Sequence, residues 1–233
     1  MKKVIEVNGL NKFFKVGNEN YHVLKDIDFS ITEGEFVSIM GPSGSGKSTL
    51  LYLLGGLDTP SSGTIKINNK NINMMKRNEV AKLRRSDIGF IFQFYNLVPN
   101  LNVRDNIMLP ILLDKKRESD YENMYKELIS IIGMDGKERN KPNQLSGGQQ
   151  QRVAIARSLL YNPKILFADE PIGNLDSKNG TKIMEIFKEI NERYNTTIVQ
   201  VTHSEEAAQY GTRIIKMRDG AILNNSLTSD EKI

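Results

Sequence analysis

Gly41-Pro42-Ser43-Gly44-Ser45-Gly46-Lys47-Ser48-Thr49 fits the phosphate-binding pattern of Gly, four residues, Gly, Lys and then Ser or Thr. The apolar residues 36–40 before it predict a buried strand, and residues 48–54 after it predict a helix, which is the context that the pattern requires. A Gly/Ser-rich surface turn is the alternative, which the flanking strand and helix disfavour. The sequence therefore predicts a site for the phosphates of a nucleotide.

Each residue type in this loop has a chemical use. The glycines let the backbone turn tightly and aim N–H groups at one point, at the positive end of a helix dipole. Lys47 adds a mobile charge for the β- and γ-phosphates, and the Ser48 hydroxyl can ligate Mg²⁺. We expect the nucleotide to be bound by Gly41, Ser43, Gly44, Ser45, Gly46, Lys47, Ser48 and Thr49.

The composition limits the classes of protein to consider. The 233 residues are enough for one large domain or two closely joined subdomains. The absence of cysteine excludes disulfides and thiolate metal sites, and the two histidines cannot build a zinc site by themselves. A net charge of +4, with acidic and basic residues interleaved, is a weak argument for a nucleic-acid partner. Basic clusters at residues 76–77, 82–85 and 115–117 indicate a solvated helix face or loop, with nearness to anionic lipid as the alternative.

No stretch of the sequence looks like a targeting or membrane segment. The basic N-terminal residues have no apolar region behind them, as a signal peptide would. The most apolar run, residues 50–57, is far shorter than the about 20 residues that a membrane span needs. We expect a cytoplasmic chain whose membrane role, if it has one, comes through a partner.

Strands and helices alternate along most of the chain, which predicts an α/β fold with a mixed and then a parallel sheet wound with helices. Residues 13–18 predict a loop whose aromatic side chains could join the core, and the polar residues from Asn224 onward predict a frayed tail. Helical spacing dominates in the middle of the chain. We expect a core of residues 1–95 and 160–233, with N-terminal antiparallel strands, and an inserted helical subdomain of residues 96–159.

Asp169 and Glu170 follow the apolar residues 165–168, at the carboxyl end of a predicted strand. In an open α/β sheet this edge binds ligands, and the phosphate loop lies at the same edge. Asp169 is the candidate for holding Mg²⁺, and Glu170 for polarising the water that attacks the γ-phosphate. An exposed Asp-Glu turn before Pro171 is the alternative.

Leu145-Ser146-Gly147-Gly148-Gln149 and the helix-forming residues 150–157 have the character of a second anion site. Ser146 can cap a helix, and the two glycines leave N–H groups uncovered at the positive end of its dipole. A capped helix with a flexible start is the alternative. The full string resembles the signature motif of the ABC ATPases, and the other motifs follow in that family's order over essentially the whole chain.

This resemblance implies a P-loop NTPase core, ATP and Mg²⁺ as ligands, and roles for further residues. Gln93 matches the glutamine that senses Mg²⁺ and the attacking water, and His203 matches the switch histidine that contacts the γ-phosphate. Asp176 lies in the loop that crosses to a partner subunit, with a helix cap as its alternative. Phe14 aligns best with the aromatic residue that stacks on adenine, and its neighbour Phe13 is the alternative for this position. The family commonly has Thr at Ile172 and Asp at Ser204.

The implied protein is the ATP-hydrolysing subunit of an ABC transporter at the inner face of the membrane. Two copies would close head to tail around two Mg-ATP molecules, with Lys47, Gln93, Glu170 and His203 catalytic in each site. The second copy would contribute Ser146, Gly147, Gly148 and Gln149. The chain looks most like subunits of lipoprotein-release, cell-division and macrolide or antimicrobial-peptide export systems, whose permeases carry a large extracytoplasmic domain. The alternative is an ABC ATPase that acts on nucleic acid or ribosomes, although we expect no nucleic-acid partner.

Overall fold

The computed structural model describes residues 2–227. Its strands are β1 (Lys3–Val16), β2 (Glu19–Thr32), β3 (Phe36–Met40), β4 (Ser62–Ile67), β5 (Lys70–Asn71), β6 (Ile88–Ile91), β7 (Ile165–Asp169), β8 (Thr197–Thr202), β9 (Arg213–Arg218) and β10 (Ala221–Leu227). Its helices are α1 (Lys47–Leu54), α2 (Arg77–Ser86), α3 (Val103–Leu113), α4 (Glu122–Ile131), α5 (Gly147–Leu159), α6 (Ser177–Tyr194) and α7 (Glu205–Ala208). Within these residues no helix is both long and apolar enough to cross a membrane.

The first sheet is antiparallel throughout, with the strand order β2-β1-β4-β5. Strand β1 continues through residues 13–16, so the predicted loop there is wrong and only the turn at Gly17 and Asn18 remains. The reason is pairing, because Phe13 lies opposite His22 and Phe14 opposite Tyr21 across a long hairpin. Both phenylalanines are exposed, at 44% and 40%, so neither belongs to the core.

The second sheet has the order β10-β9-β3-β8-β7-β6, and its strands are parallel except for β10. The expectation of a frayed tail is wrong for residues 224–227, because β10 pairs with β9 as far as Leu227. Residues 228–233 lie outside the described part of the chain. At one end of the sheet Met40 lies opposite Thr202, and Asp169 opposite Val201. The ends of β3, β7 and β8 therefore meet at one edge.

Two apolar clusters lie on opposite faces of this sheet, because alternate residues of a strand point to opposite sides. Phe36 and Ile198 belong to a cluster that includes buried residues of α3, α4, α5 and α6. Val37 and Val199, one position along, belong to a cluster with α1 and the antiparallel sheet. The helices of residues 96–159 thus share a core with one sheet face, and their independence as a subdomain stays a prediction.

Helix α2 carries two of the basic clusters, residues 76–77 and 82–85, on a solvated surface. Leu83 is its only buried residue, in agreement with the expected solvated helix face. Arg84 donates to Gly56 O at 3.1 Å, and Arg85 pairs with Asp114 at 3.1 Å. These guanidinium groups are therefore partly occupied by contacts inside the protein.

Candidate active site

The phosphate loop connects β3 to α1 and is curled around its own lysine. Lys47 Nζ donates to the carbonyl oxygens of Gly41 at 2.8 Å and Pro42 at 2.9 Å, and the residue is only 7% exposed. Gly46 precedes the helix with φ +94°, and a Cβ there would lie 2.8 Å from Leu24 Cδ2. The curl therefore requires glycine at this position and places the ammonium inside the loop.

Asp169 ends β7 and faces α1. Its Oδ1 accepts a 2.7 Å hydrogen bond from Ser48 Oγ, and its Oδ2 accepts a 2.6 Å bond from the Tyr52 hydroxyl. Burial raises the pKa of Tyr52 to about 12, and the hydrogen bond to Asp169 adds to the shift, so the phenol stays a donor near neutral pH. The two motif residues predicted to hold Mg²⁺, Ser48 and Asp169, are thus in direct contact.

Glu170 has a left-handed backbone, with φ +46°, where a residue other than glycine is uncommon. Its N–H donates to Val201 O at 3.0 Å, and its carbonyl accepts from the N–H of Gly173 at 3.0 Å. The Oε1 atom lies 3.0 Å from His203 Nδ1. An ionised carboxylate only accepts hydrogen bonds, so Nδ1 carries the proton in this pair and Nε2 is left for another contact. The strand ends therefore bring two of the four predicted catalytic residues together, Glu170 and His203.

Gln93 follows β6 and is tied to the loop after Glu170. Its Nε2 donates to Asn174 Oδ1 at 3.4 Å, and Asn174 Nδ2 returns a bond to the Gln93 carbonyl at 3.2 Å. The pair connects the segment that leads into the helical region with the segment that leads to α6. Gln93 therefore contacts the loop between β7 and α6.

A cleft of about 730 Å³ is lined by the four residues predicted to be catalytic and by most of the phosphate loop. Its volume is within the range of small-molecule sites. It is lined by Val23, Pro42, Ser43, Gly44, Gly46, Lys47, Ser48, Thr49, Gln93, Glu170 and His203. Gly41 and Ser45 lie behind this surface, since a Cβ on Gly41 would meet Met217 O and Ser45 is 3% exposed. The arrangement of strand, glycine loop and helix with a carboxylate pair on a nearby strand defines a P-loop nucleotide hydrolase.

The segment of residues 145–149, all of them described, does not line this cleft. Ser146 caps α5 through a reciprocal pair: Gln149 N donates to Ser146 Oγ at 3.3 Å, and Ser146 N donates to Gln149 Oε1 at 2.9 Å. A Cβ on Gly148 would lie 2.8 Å from the Asn179 side chain, so this glycine allows α5 and α6 to approach. The exposed Ser146 leaves the N-terminus of α5 open on the surface.

Asp176 and Phe14 also lie away from the cleft lining. Asp176 caps α6, with its Oδ1 accepting from Asn179 N at 3.0 Å, and this backbone hydrogen bond lowers the pKa of the carboxyl. Phe14 lies under Lys12, whose Nζ is 4.7 Å from the ring centroid, while Phe13 stacks on His22 at 4.0 Å. Val23, which lines the cleft, lies on β2, the strand that pairs with β1.

Sequence reasoning missed two residues that contact the site. Tyr52 bonds to Asp169, and its only signal is its position one helical turn after Ser48. Gln151 is buried and donates to Pro171 O at 2.8 Å, which joins α5 to the residue after Glu170. Ser204 and Ile172, the two departures from the family pattern, both have a structural role. The Ser204 hydroxyl caps α7 by accepting from Ala207 N at 3.2 Å, and Ile172 packs against the core.

The ABC transporter family profile matches residues 24–173. An uncharacterized ABC transporter ATP-binding protein of Methanocaldococcus jannaschii, MJ0796, is 46% identical over 223 residues, 94% of this chain and 95% of that protein. The lipoprotein-releasing system ATP-binding protein LolD of Cytophaga hutchinsonii is 47% identical over 201 residues, 86% of this chain and 92% of LolD. The macrolide export ATP-binding/permease protein MacB of Mannheimia succiniciproducens is 44% identical over 223 residues, 96% of this chain and 34% of MacB.

A solved dimeric structure of the ATP-binding cassette MJ0796, in a post-hydrolysis state bound to ADP and Pi, is similar with a TM-score of 0.88 and 42% identity. The similarity covers 96% of this chain and 98% of that one. The chain therefore belongs to the ABC transporter family. It is an ATP-binding subunit that hydrolyses ATP. The relatives named above give no support to the alternative of an ATPase acting on nucleic acid.

Proposed function

We propose that two copies of this chain close head to tail around two Mg-ATP molecules and thereby drive a membrane permease. The observation that carries the proposal is the separation of the two segments that are predicted to bind anions. The cleft holds the phosphate loop, Glu170 and His203, while the signature segment of residues 145–149 lies outside it. A second copy can supply that segment to the open side of the cleft. The dimeric state of the related MJ0796 cassette supports the same assembly.

The residues beside Asp169 suit Mg²⁺. Ser48 and Asp169 offer hard oxygen ligands that already face each other at 2.7 Å, and Gln93 offers an amide oxygen at the rim of the cleft. These few ligands are enough, because Mg²⁺ is usually held by one or two protein groups together with substrate phosphates and water. When bound, Mg²⁺ neutralises charge on the transferring phosphoryl group.

Hydrolysis then needs three contributions from the cleft. The Glu170 carboxylate accepts a proton from water as the water oxygen attacks the γ-phosphorus and the bond to the bridging oxygen breaks, leaving ADP and phosphate. The Lys47 ammonium and the loop N–H groups stabilise the charge that develops. His203 bonds to Glu170 through Nδ1, so its Nε2 can donate to a phosphate oxygen only in the imidazolium form.

The partner's face of each site would come from Ser146, Gly147, Gly148 and Gln149, whose N–H groups lie at the start of α5. Asp176, at the start of α6, would cross towards the other copy. The contact at Gly148 and Asn179 places these two helix starts side by side on one chain. Both helix starts would therefore enter the interface together, as a single surface.

The relatives suggest the kind of permease. LolD is named for a lipoprotein-releasing system and MacB for macrolide export, and the ATP-binding part of MacB is joined to its own permease. We infer that this chain binds, at the inner face of the membrane, an integral permease with a large extracytoplasmic domain. The complex of the two would either export a substrate or transmit movement across the membrane.

The permease assignment is tested by the reading frames beside the gene. A tagged form of this chain, co-expressed with a neighbouring frame that encodes a membrane protein of few spans, is expected to co-purify with it in detergent. Co-expression with an unrelated permease is the control, which should yield no complex. A neighbourhood of ribosomal or DNA-processing genes without a permease would contradict the assignment.

The adenine ring is expected to stack on Phe14 rather than on Phe13. Both rings have a partner, since His22 stacks on Phe13 at 4.0 Å and Lys12 Nζ lies 4.7 Å from the Phe14 centroid, so the preference rests on the alignment of Phe14 with the family's stacking residue. Phe14→Ala should therefore weaken ATP binding by about tenfold, since base–aromatic stacking contributes about 1–3 kcal/mol. Phe13→Ala is the matched control and should weaken binding less. Titration with a fluorescent ATP analogue measures both, and the opposite order would reassign the stacking ring.

A further inference from the structure

Tyr52 lies four residues after Ser48 on α1, so their side chains leave the helix on the same face. Ser48 Oγ donates to Asp169 Oδ1 at 2.7 Å, and the Tyr52 hydroxyl donates to Oδ2 at 2.6 Å. Asp169 is only 7% exposed. One helix therefore holds both oxygens of a buried carboxylate with two hydroxyl donors. Hydrogen bonds from hydroxyls to a carboxylate at such distances are among the strong ones in proteins.

Aromatic packing fixes the Tyr52 ring. The centroid of the Phe92 ring lies 6.4 Å from it at an interplanar angle of 55°, and Phe92 stacks on Phe90 at 5.6 Å and 11°. Phe90 also contacts Phe167 of β7, at 5.3 Å. This row of rings thus aims the hydroxyl at Oδ2. Phe90 and Phe167 lie on β6 and β7 of the second sheet, and Phe92 precedes Gln93 in the chain. A side chain with this support can orient a metal ligand.

We propose that Tyr52 is a positioning residue for the magnesium site. Its bond to Oδ2 fixes the rotation of the Asp169 carboxylate and so keeps Oδ1 next to Ser48, the two groups that would hold the ion. This inference rests on the proposed assignment of Mg²⁺ to Ser48 and Asp169. Without the phenolic hydroxyl, Oδ2 loses a donor in a buried place, and the carboxylate turns to find another. The Oδ1 atom then leaves its position next to Ser48.

Tyr52→Phe tests the proposal, because it removes one oxygen atom and keeps the ring against Phe92. The affinity for a fluorescent ATP analogue is measured by titration in excess Mg²⁺ and again in EDTA. We expect the ratio of the two affinities to fall by about tenfold, the lower end of what loss of a partner behind a metal ligand costs. The affinity in EDTA should stay unchanged. The Mg²⁺ concentration for half-maximal ATP hydrolysis should rise by a similar factor.

Two further variants separate the possible failures. Tyr125→Phe removes the same atom from a buried tyrosine in α4, away from the cleft, and should leave the ratio unchanged. Asp169→Asn should lower the ratio strongly, and if it does not, the proposed metal site itself is wrong. If Asp169→Asn lowers the ratio and Tyr52→Phe does not, only the positioning role is overturned. Equal losses in Mg²⁺ and in EDTA would also overturn it, since they would assign Tyr52 to the stability of the phosphate-loop helix.

Discussion

Glu170→Gln is expected to lower ATP turnover by at least about a hundredfold, the usual range for loss of a general base. The amide has almost the same shape as the carboxylate and can still accept a hydrogen bond from His203, but it cannot take up a proton from water. ATP affinity should therefore be preserved. Because ATP holds the proposed dimer together and its cleavage releases it, the variant should accumulate as a dimer in size-exclusion chromatography with ATP.

Glu192→Gln, a change in an exposed glutamate of α6, is the control and should behave like the unmodified chain. Because the backbone at Glu170 is left-handed, the choice of the replacing residue matters for interpreting a loss of turnover. Substitution by glutamine keeps a side chain with the same backbone preference, whereas glycine would relieve the strain of the left-handed backbone while also removing the charge. Turnover at the unmodified rate in Glu170→Gln would remove Glu170 from the role of base. A loss of ATP affinity would assign it to binding instead.

Ser146→Arg is expected to prevent ATP-driven dimerisation, with the dimer dissociation constant raised by at least about a hundredfold, which corresponds to about 2.7 kcal/mol. Ser146 is exposed in the single chain, so an arginine there has room and ATP binding by the monomer should be unaffected. In the proposed dimer the long cation would lie where the partner's ATP approaches the start of α5. It would also oppose the positive end of the helix dipole.

The measurement is light scattering or size-exclusion chromatography with ATP, in the Glu170→Gln background where dimers accumulate. Ser146→Ala is the matched control, because it removes the capping hydroxyl without adding bulk. Loss of a cap costs about 1 kcal/mol of helix stability and should leave dimerisation largely intact. Dimerisation of the Ser146→Arg variant at the ATP concentration that dimerises Glu170→Gln alone would contradict the model of a shared site.

The sequence predicted those parts of the site that depend on neighbours along the chain. The glycine loop, Asp169, Glu170 and His203 all follow apolar strands, and parallel strands deliver their carboxyl ends to one edge of the sheet. The contact of Tyr52 with Asp169 joins residues 117 positions apart and has no local pattern. The same limit applies to residues 13–16, which are predicted to form the loop that ends in Gly17 and Asn18 but pair with β2. It applies also to residues 224–227, where pairing with β9 overrode the polar character of the sequence.

Lys47 Nζ donates to two carbonyl oxygens of its own loop, at 2.8 and 2.9 Å. The arrival of a nucleotide is therefore an exchange of acceptors at this ammonium, and the free energy gained is the difference between two sets of contacts. The conformational entropy of ordering the loop has already been lost during folding, which favours tight association. Because the attraction to the ammonium grows with the charge of the anion, we expect a triphosphate to displace the carbonyls more readily than a weakly charged anion. Selection by anion charge would then be a property of a single copy of the chain.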